Sequence, residues 1–238
     1  MPSRVFLNDG LIDIDKAGVS VADGGLLYGA GLFETMRSRN GVVFRLQDHL
    51  DRLFLSAAAL SIALSYDKAY IEQAIGDVLE ANQLKDARLR LTLTSGPLAE
   101  SQDQRKAMLL ITAAPFRPYP DDYYQTGILV VLCPFRQNQT DPTCGHKTTS
   151  YYPRLLALNL AHQRRATEAL WFTTDNRLAE GCVSNVFLVK NSVLYTPPAQ
   201  CSLVSPGKPS SRSPRNSPSK PSRRTCSSPI CWKPTRFS

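Results

Sequence analysis

The sequence predicts an α+β protein in two domains, and three observations carry that prediction. Alternation over Ala87 to Thr94, with Leu89, Leu91 and Leu93 set against Arg88, Arg90 and Thr92, marks a half-buried strand. Helical spacing of Leu50, Leu53, Phe54, Ala57, Ala58, Leu60 and Ala63 marks an amphipathic helix. Pro115, Pro118 and Pro120 fall within six residues and mark a linker between two folded parts.

From the N-terminus, residues 4 to 46 read as short strands joined by turns. These are Val5 to Leu7, a turn at Asn8-Asp9-Gly10, Leu11 to Ile14, and Val42 to Leu46 after Asn40-Gly41, the strongest hairpin signal of the chain. Asp48 is placed to cap the first helix, and a second helix is expected from Asp67 to Asn82. Strands over Ala87 to Thr94 and Met108 to Ala113, joined through Gly96-Pro97, complete a first domain of residues 1–115, with 116–120 as linker. In a second domain, 121–200, the pattern predicts a strand over Gly127 to Cys133, a helix over Tyr152 to Ala166 and a strand over Ala169 to Thr173 that turns at Asp175-Asn176. A hairpin of Val186 to Val189 and Val193 to Tyr195 follows around Asn191-Ser192.

The chain has 238 residues, 42% hydrophobic and 20% charged, enough for a sizeable core. Its longest mostly apolar stretch, Leu53 to Leu64, is broken by Ser56 and Ser61 and falls short of the roughly 20 residues that span a bilayer. Met1 to Gly10 lacks the apolar region of a signal peptide, so the expected location is the cytoplasm. The net charge of +8 comes from the end of the chain: residues 201–238 hold eight Lys and Arg and no Asp or Glu, while the first 200 residues balance 20 basic against 20 acidic groups. That segment, with 7 Pro, 11 Ser and few large apolar residues, is expected to be a disordered tail. Cys133, Cys144 and Cys182 lack C-x-x-C spacing, so no metal site or disulfide framework is expected and buried or incidental thiols are the simpler reading.

Two residues point to chemistry. Lys147 lies in the polar and aromatic run Gly145-His146-Lys147-Thr148-Thr149-Ser150-Tyr151-Tyr152, before a helix and without carboxylates nearby in sequence. A lysine attacks a carbonyl only in its neutral form, which desolvation or a neighbouring cation favours. Glu180 follows 33 residues later in Arg177-Leu178-Ala179-Glu180-Gly181, read as a small-residue turn between two strands that a flat ring can approach. In pyridoxal phosphate enzymes a lysine holds the aldehyde and an acid keeps the pyridine nitrogen protonated, and Lys147 and Glu180 fit those roles. An ordinary surface lysine and a solvated turn carboxylate remain the alternatives for the two residues taken singly.

With these motifs in this order, residues 5–198 resemble the class IV pyridoxal-phosphate aminotransferases, the group of branched-chain and D-amino acid aminotransferases that also includes aminodeoxychorismate lyase. Tyr28-Gly29-Ala30-Gly31-Leu32-Phe33-Glu34-Thr35 resembles the family's first signature, which implies Tyr28 and Phe33 in the substrate pocket. Asp48-His49-Leu50-Asp51-Arg52-Leu53 resembles its helix start, which implies Arg52 on the cofactor phosphate. An arginine one turn into a helix suits a phosphate through its planar fork, the alternative being a solvated arginine paired with Asp48 at i, i+4. The resemblance further implies Lys147 as the Schiff-base lysine, Tyr152 on the cofactor's ring oxygen and Glu180 on the pyridinium. It implies a two-domain D-amino acid aminotransferase-like α+β fold whose second, cofactor-binding domain is incomplete here, and a cytoplasmic homodimer. The implied reaction is amino transfer between an amino acid and a keto acid, or release of pyruvate from aminodeoxychorismate to leave 4-aminobenzoate.

The resemblance breaks after Pro198. Where the family continues with Pro-Gly-x-Thr opening a helix, this chain has Pro206-Gly207-Lys208-Pro209-Ser210. Shifted by two bases, permitted codons for the tail read Pro-Gly-Gln-Thr near Ser205 to Pro209 and Ala-Asp-Glu-Val-Phe-Leu at the end, so a single frameshift near Val204 to Pro206 and a poorly active chain are expected. The competing expectation is a non-catalytic protein whose basic tail binds nucleic acid. The tail lacks a Gly-rich or aromatic recognition pattern, which makes that the poorer account.

Overall fold

The computed structural model describes residues 4–97, 106–191, 193–197 and 224–225. By its internal contacts the chain divides into two compact units, Met1–Pro120 with His146–Tyr151, and Asp121–Gly145 with Tyr152–Ser238.

The first unit is a six-stranded antiparallel sheet covered by helices. Its strands are β1 (Arg4–Leu7), β2 (Gly10–Asp13), β3 (Gly31–Arg39), β4 (Val42–Val43), β5 (Ala87–Thr94) and β6 (Leu109–Pro115), in the spatial order β2-β1-β6-β5-β3-β4. Its helices are α1 (Gly24–Tyr28), α2 (Leu46–Ala59) and α3 (Lys68–Ala81). Alternation in β5 sends Leu89, Leu91 and Leu93 to the face where Leu50, Leu53 and Ala57 of α2 and Ile71, Ile75 and Val78 of α3 pack. The β3–β4 hairpin turns at Asn40-Gly41 as its sequence predicts, with Asn40 at φ 51°. α3 covers the helix expected over Asp67 to Asn82, and Asp67 caps it by accepting the Tyr70 N–H at 2.7 Å.

Two expectations for this unit need correction, and two elements were not foreseen. Val42 to Leu46 is a two-residue strand rather than five, because the chain turns into α2 at Arg45, whose φ of 55° ends the extended run. The N-cap of α2 is therefore Arg45 and not Asp48, which sits in the first turn and ion-pairs with Arg45. The nine-residue β3 and the short α1 were not read as elements. β3 pairs along its whole length with β5, Gly31 opposite Thr94 through Ser38 opposite Ala87.

The second unit has α4 (Asp121–Gln125), β7 (Val130–Gln137), α5 (Tyr152–Gln163), β8 (Glu168–Thr173), β9 (Leu178–Gly181), β10 (Leu188–Lys190), β11 (Val193–Thr196) and β12 (Arg224–Thr225). β7 runs parallel to β8, and β9 antiparallel to it, while β10 and β11 form the expected hairpin. Pro153, in the first turn of α5, stands where a missing N–H costs nothing. α5 presents Ala157 and Ala161 to a core of Cys133, Ala166, Ala169, Trp171, Ala179 and Cys182. β7 lies three residues later than expected, and Glu180 is in strand β9, not at a turn; the turn is at Asn176, φ 61°. Cys133 and Cys182 are free and buried, as expected, whereas Cys144 is disulfide-bonded and departs from the expectation of a thiol. The expected basic tail lies outside the described residues, apart from Arg224–Thr225, which pair parallel with Tyr195–Thr196.

Candidate active site

In the first unit the lysine segment is built onto β3. The Phe33 N–H donates to the Lys147 carbonyl and the Thr149 N–H donates to the Gly31 carbonyl, both at 2.8 Å, so residues 147–149 extend the sheet beside the start of β3. The glycine-rich signature makes room for this segment. Gly29 ends α1 at φ +68°, and a Cβ there would lie 2.5 Å from Ser150 Oγ. Thr149 Oγ donates to the Gly29 carbonyl at 2.8 Å. Asp23 caps α1 through the Gly25 and Leu26 N–H groups and accepts from Thr94 Oγ at 2.7 Å, which ties the signature to β5.

Register then sorts the side chains. Leu32 bridges to Thr148, so Phe33 and Lys147 share the opposite face, where Lys147 Nζ lies 4.9 Å from the Phe33 ring centroid. Phe33 is 4% exposed; Arg90 Cζ sits 3.6 Å from its centroid and Tyr151 meets it edge-on at 5.4 Å. Burial, then repulsion from Arg88, lowers the Arg90 pKa from its ordinary value. Sequence reasoning did not single out Arg90, which gives the lysine side of the sheet a second cation at the same ring.

On the helix-packed face, Glu34 is 1% exposed directly opposite Leu91. Its carboxylate is taken by α2: Arg52 Nε donates to Oε1 at 2.6 Å, Arg52 Nη2 to Oε2 at 2.5 Å, and His49 Nδ1 lies 2.8 Å from Oε2. Burial alone would raise the Glu34 pKa, but the hydrogen bonds and charges of His49 and Arg52 hold it below its ordinary value. Arg52 is raised in turn, chiefly by the hydrogen bonds it donates to Glu34. The alternative pairing of Arg52 with Asp48 does not form; Asp48 pairs with Arg45. Lys147 and Arg52 are thus attached to adjacent residues of one strand, Phe33 and Glu34, on its two faces. A charged residue at an apolar position of an alternating strand, followed by His49 and Arg52 three apart on a helix, was the available signal for this cluster.

In the second unit Glu180 lies at the middle of β9 and ion-pairs with Arg154, whose Nη1 also donates to the Gly181 carbonyl at 3.1 Å. Arg154, two residues after Tyr152, lies over the Trp171 ring at 5.2 Å. Tyr152 opens α5 with 72% of its surface exposed, and in the first unit Tyr28 is 68% exposed at the end of α1.

Taken unit by unit, these groups have the chemistry to hold separate parts of pyridoxal phosphate. Lys147 offers an amine. Arg52, its fork taken by Glu34, keeps Nη1 without a hydrogen bond among the described residues, and Glu180 likewise keeps Oε2. No group of three or more His, Cys, Asp or Glu suited to a metal occurs among the described residues, and none of their helices is long and apolar enough to cross a membrane.

Comparison with known proteins gives one answer. A protein of Methanocaldococcus jannaschii named as a branched-chain-amino-acid aminotransferase is 34% identical over 202 residues, covering 84% of this chain and 70% of that one. The branched-chain aminotransferase of Thermoproteus uzoniensis, solved with norvaline, superposes with a TM-score of 0.76 at 28% identity, over 84% of this chain and 69% of that one. The 4-amino-4-deoxychorismate lyase of Pseudomonas aeruginosa superposes with a TM-score of 0.71 at 27% identity, over 83% and 72%. The family model for class IV amino-transferases matches residues 31–205, from the first residue of β3 past the Glu180 strand, and the chain belongs to that family.

Proposed function

We propose that this chain carries the pyridoxal phosphate site of a class IV enzyme acting on an amino acid and a keto acid, or on aminodeoxychorismate. The observation that carries the reading is the clamping of Lys147: two 2.8 Å backbone bonds to β3 fix its main chain, and its ammonium rests at a buried aromatic ring. Bound pyridoxal phosphate supplies an electron sink for the bond broken at the substrate's α-carbon. Around it, Lys147 would hold the aldehyde carbon until the substrate's amine takes its place there, and the lysine amine so released would carry the proton to and from the α-carbon. Glu180 holds a proton on the ring nitrogen, with Arg154 steadying the carboxylate. Arg52 Nη1 binds the phosphate, Tyr152 the ring oxygen, and Tyr28 and Phe33 line the substrate pocket.

The family resemblance extends the proposal to a cytoplasmic homodimer. Val21, Leu26, Leu27 and Tyr28 are exposed in one short segment and offer apolar area to a second copy. Amino transfer and pyruvate release are separated by assaying the protein with amino and keto acids in parallel with aminodeoxychorismate. The test of the site itself is borohydride reduction after incubation with pyridoxal phosphate: the expected outcome is one covalent adduct, mapped to Lys147 and absent from Lys147→Ala. An adduct of equal yield in that variant would remove Lys147 from the site.

A further inference from the structure

Glu168, the first residue of β8, has no part in the reaction proposed above, yet its carboxylate is buried with four donors on it. Oε1 accepts the N–H groups of Ala169 and Cys182, each at 2.9 Å, and Oε2 accepts Ser184 Oγ at 2.8 Å and the Val183 N–H at 3.2 Å. Three of the four come from the segment directly after Glu180. A carboxylate offers about four acceptor positions, so this one is filled and has none left for a ligand. The segment is folded tightly onto it: the Gly181 N–H donates to the Ser184 carbonyl at 2.8 Å, and a Cβ on Gly181 would lie 2.3 Å from Ser184 Oγ and 2.8 Å from Glu168 Oε2.

Glu180 is thereby held from two directions. Arg154 binds its carboxylate and the Gly181 carbonyl, and Glu168 binds the next three residues. Removal of the Glu168 carboxylate leaves the buried Cys182 N–H and the part-buried Val183 N–H without an acceptor, and the turn can satisfy the first only by opening to water.

We propose that Glu168 is a positioning residue, which fixes the 181–184 turn and, through it, the orientation in which Glu180 meets the cofactor's ring nitrogen. The inference rests on the reading of Glu180 given above and adds to it the residue that sets its geometry.

The turn reports on itself through Cys182, which is buried against Trp171 with Sγ 3.2 Å from the indole nitrogen. Burial pushes the Cys182 thiol up to about 11, so it reacts slowly with a maleimide at pH 8. In Glu168→Ala, Cys182 labelling followed by peptide mass spectrometry should accelerate about tenfold, the equivalent of losing one to two backbone hydrogen bonds. Unchanged labelling overturns the proposal. Glu168→Gln keeps an acceptor for Ala169 and Cys182, and the Ser184 hydroxyl can turn to accept from its amide, so only Val183 loses its partner. Should the alanine variant not fold, hydrogen exchange in Glu168→Gln decides: Val183 should exchange faster while Cys182 stays protected, and equal protection of Val183 overturns the proposal.

The action through Glu180 is read in protein loaded with pyridoxal phosphate. The pH midpoint of the cofactor absorbance should shift in the same direction in Glu168→Ala and Glu180→Gln, and the double variant should match Glu180→Gln alone. Additive shifts would show that Glu168 acts elsewhere and overturn the proposal. Failure of Lys147 to form the adduct would instead strike the reading of the site, and the Cys182 and Val183 measurements would still decide whether Glu168 holds the turn.

Discussion

The two units fill their cores with different material. In the first, long aliphatic side chains from β5, β6, α2 and α3 meet: Leu50, Leu53, Ile71, Ile75, Leu89, Leu91, Leu93, Leu109 and Ile111 are all fully or almost fully buried. Among the described residues of the second, the buried apolar set is Ala157, Ala161, Ala166, Ala169 and Ala179 with two cysteines and one tryptophan. Each buried leucine withdraws far more apolar area than an alanine, at about 25 cal/mol per Å². The first unit therefore tolerates Glu34 as an exception within its aliphatic layer, beside the buried Asp23 that caps α1. The second relies on polar ties, with Glu168 and Arg154 doing in hydrogen bonds what leucines do elsewhere. Small residues also let backbone approach backbone, which the 181–184 turn requires. The unit richer in aliphatic packing presents the lysine, and the unit of small residues presents the strand of Glu180.

Substitutions sharpen that contrast. The largest effect is expected at Leu91, fully buried at the centre of β5: Leu91→Ala should cost about 3 kcal/mol in urea-induced unfolding, lost transfer energy plus a cavity. A loss below about 1 kcal/mol would mean that the aliphatic layer collapses around the gap and is less rigid than its burial implies.

Next comes the exception in that layer. Glu34 titrates below the ordinary value of 4.5 because His49 and Arg52 hold it charged, so the unfolded chain takes up its proton first as the pH falls. Its contribution is complete above the unfolded value and disappears as pH drops through the lower folded one. Glu34→Gln should destabilise by about 2 kcal/mol near neutral pH, and the difference from the parent should shrink on acidification below about pH 4. A difference independent of pH would show that packing, and not charge, sets the cost.

Smallest is the change in the alanine core. Ala161→Gly in α5 should cost about 1 kcal/mol, mostly backbone entropy, since only one methyl leaves the core. A cost matching that of Leu91→Ala would erase the distinction between the two cores.

What could be read from sequence was what neighbours in sequence decide. The β5 alternation, the helix beginning at Asp67 and the Asn40-Gly41 turn are local, and each is set by side chains within a few residues of the element. β3 escaped because Glu34 interrupts its apolar alternation at the position opposite Leu91. Its solvation is rescued by α2, which no window around residue 34 contains. Similarly, Glu180 was read at a turn because Gly181 follows it, whereas pairing of Leu170 with Gly181 and Phe172 with Leu178 makes the segment a strand. Arg45 replaced Asp48 as the cap of α2 because the hairpin before it ends sooner than β-propensity suggests.

By itself the sequence determined the α+β class and the order of motifs that places the chain among class IV aminotransferases. Both follow from short-range periodicity and from residue types at fixed spacing, which survive without any knowledge of contacts. Tertiary structure alone decided the partners of the charged groups: Arg52 on Glu34, Arg154 on Glu180, and three donors of the 181–184 turn on Glu168. The reason is electrostatic. A buried charge is stable only where distant segments bring donors to it, so its partner is set by how strands and helices pack and not by distance along the chain.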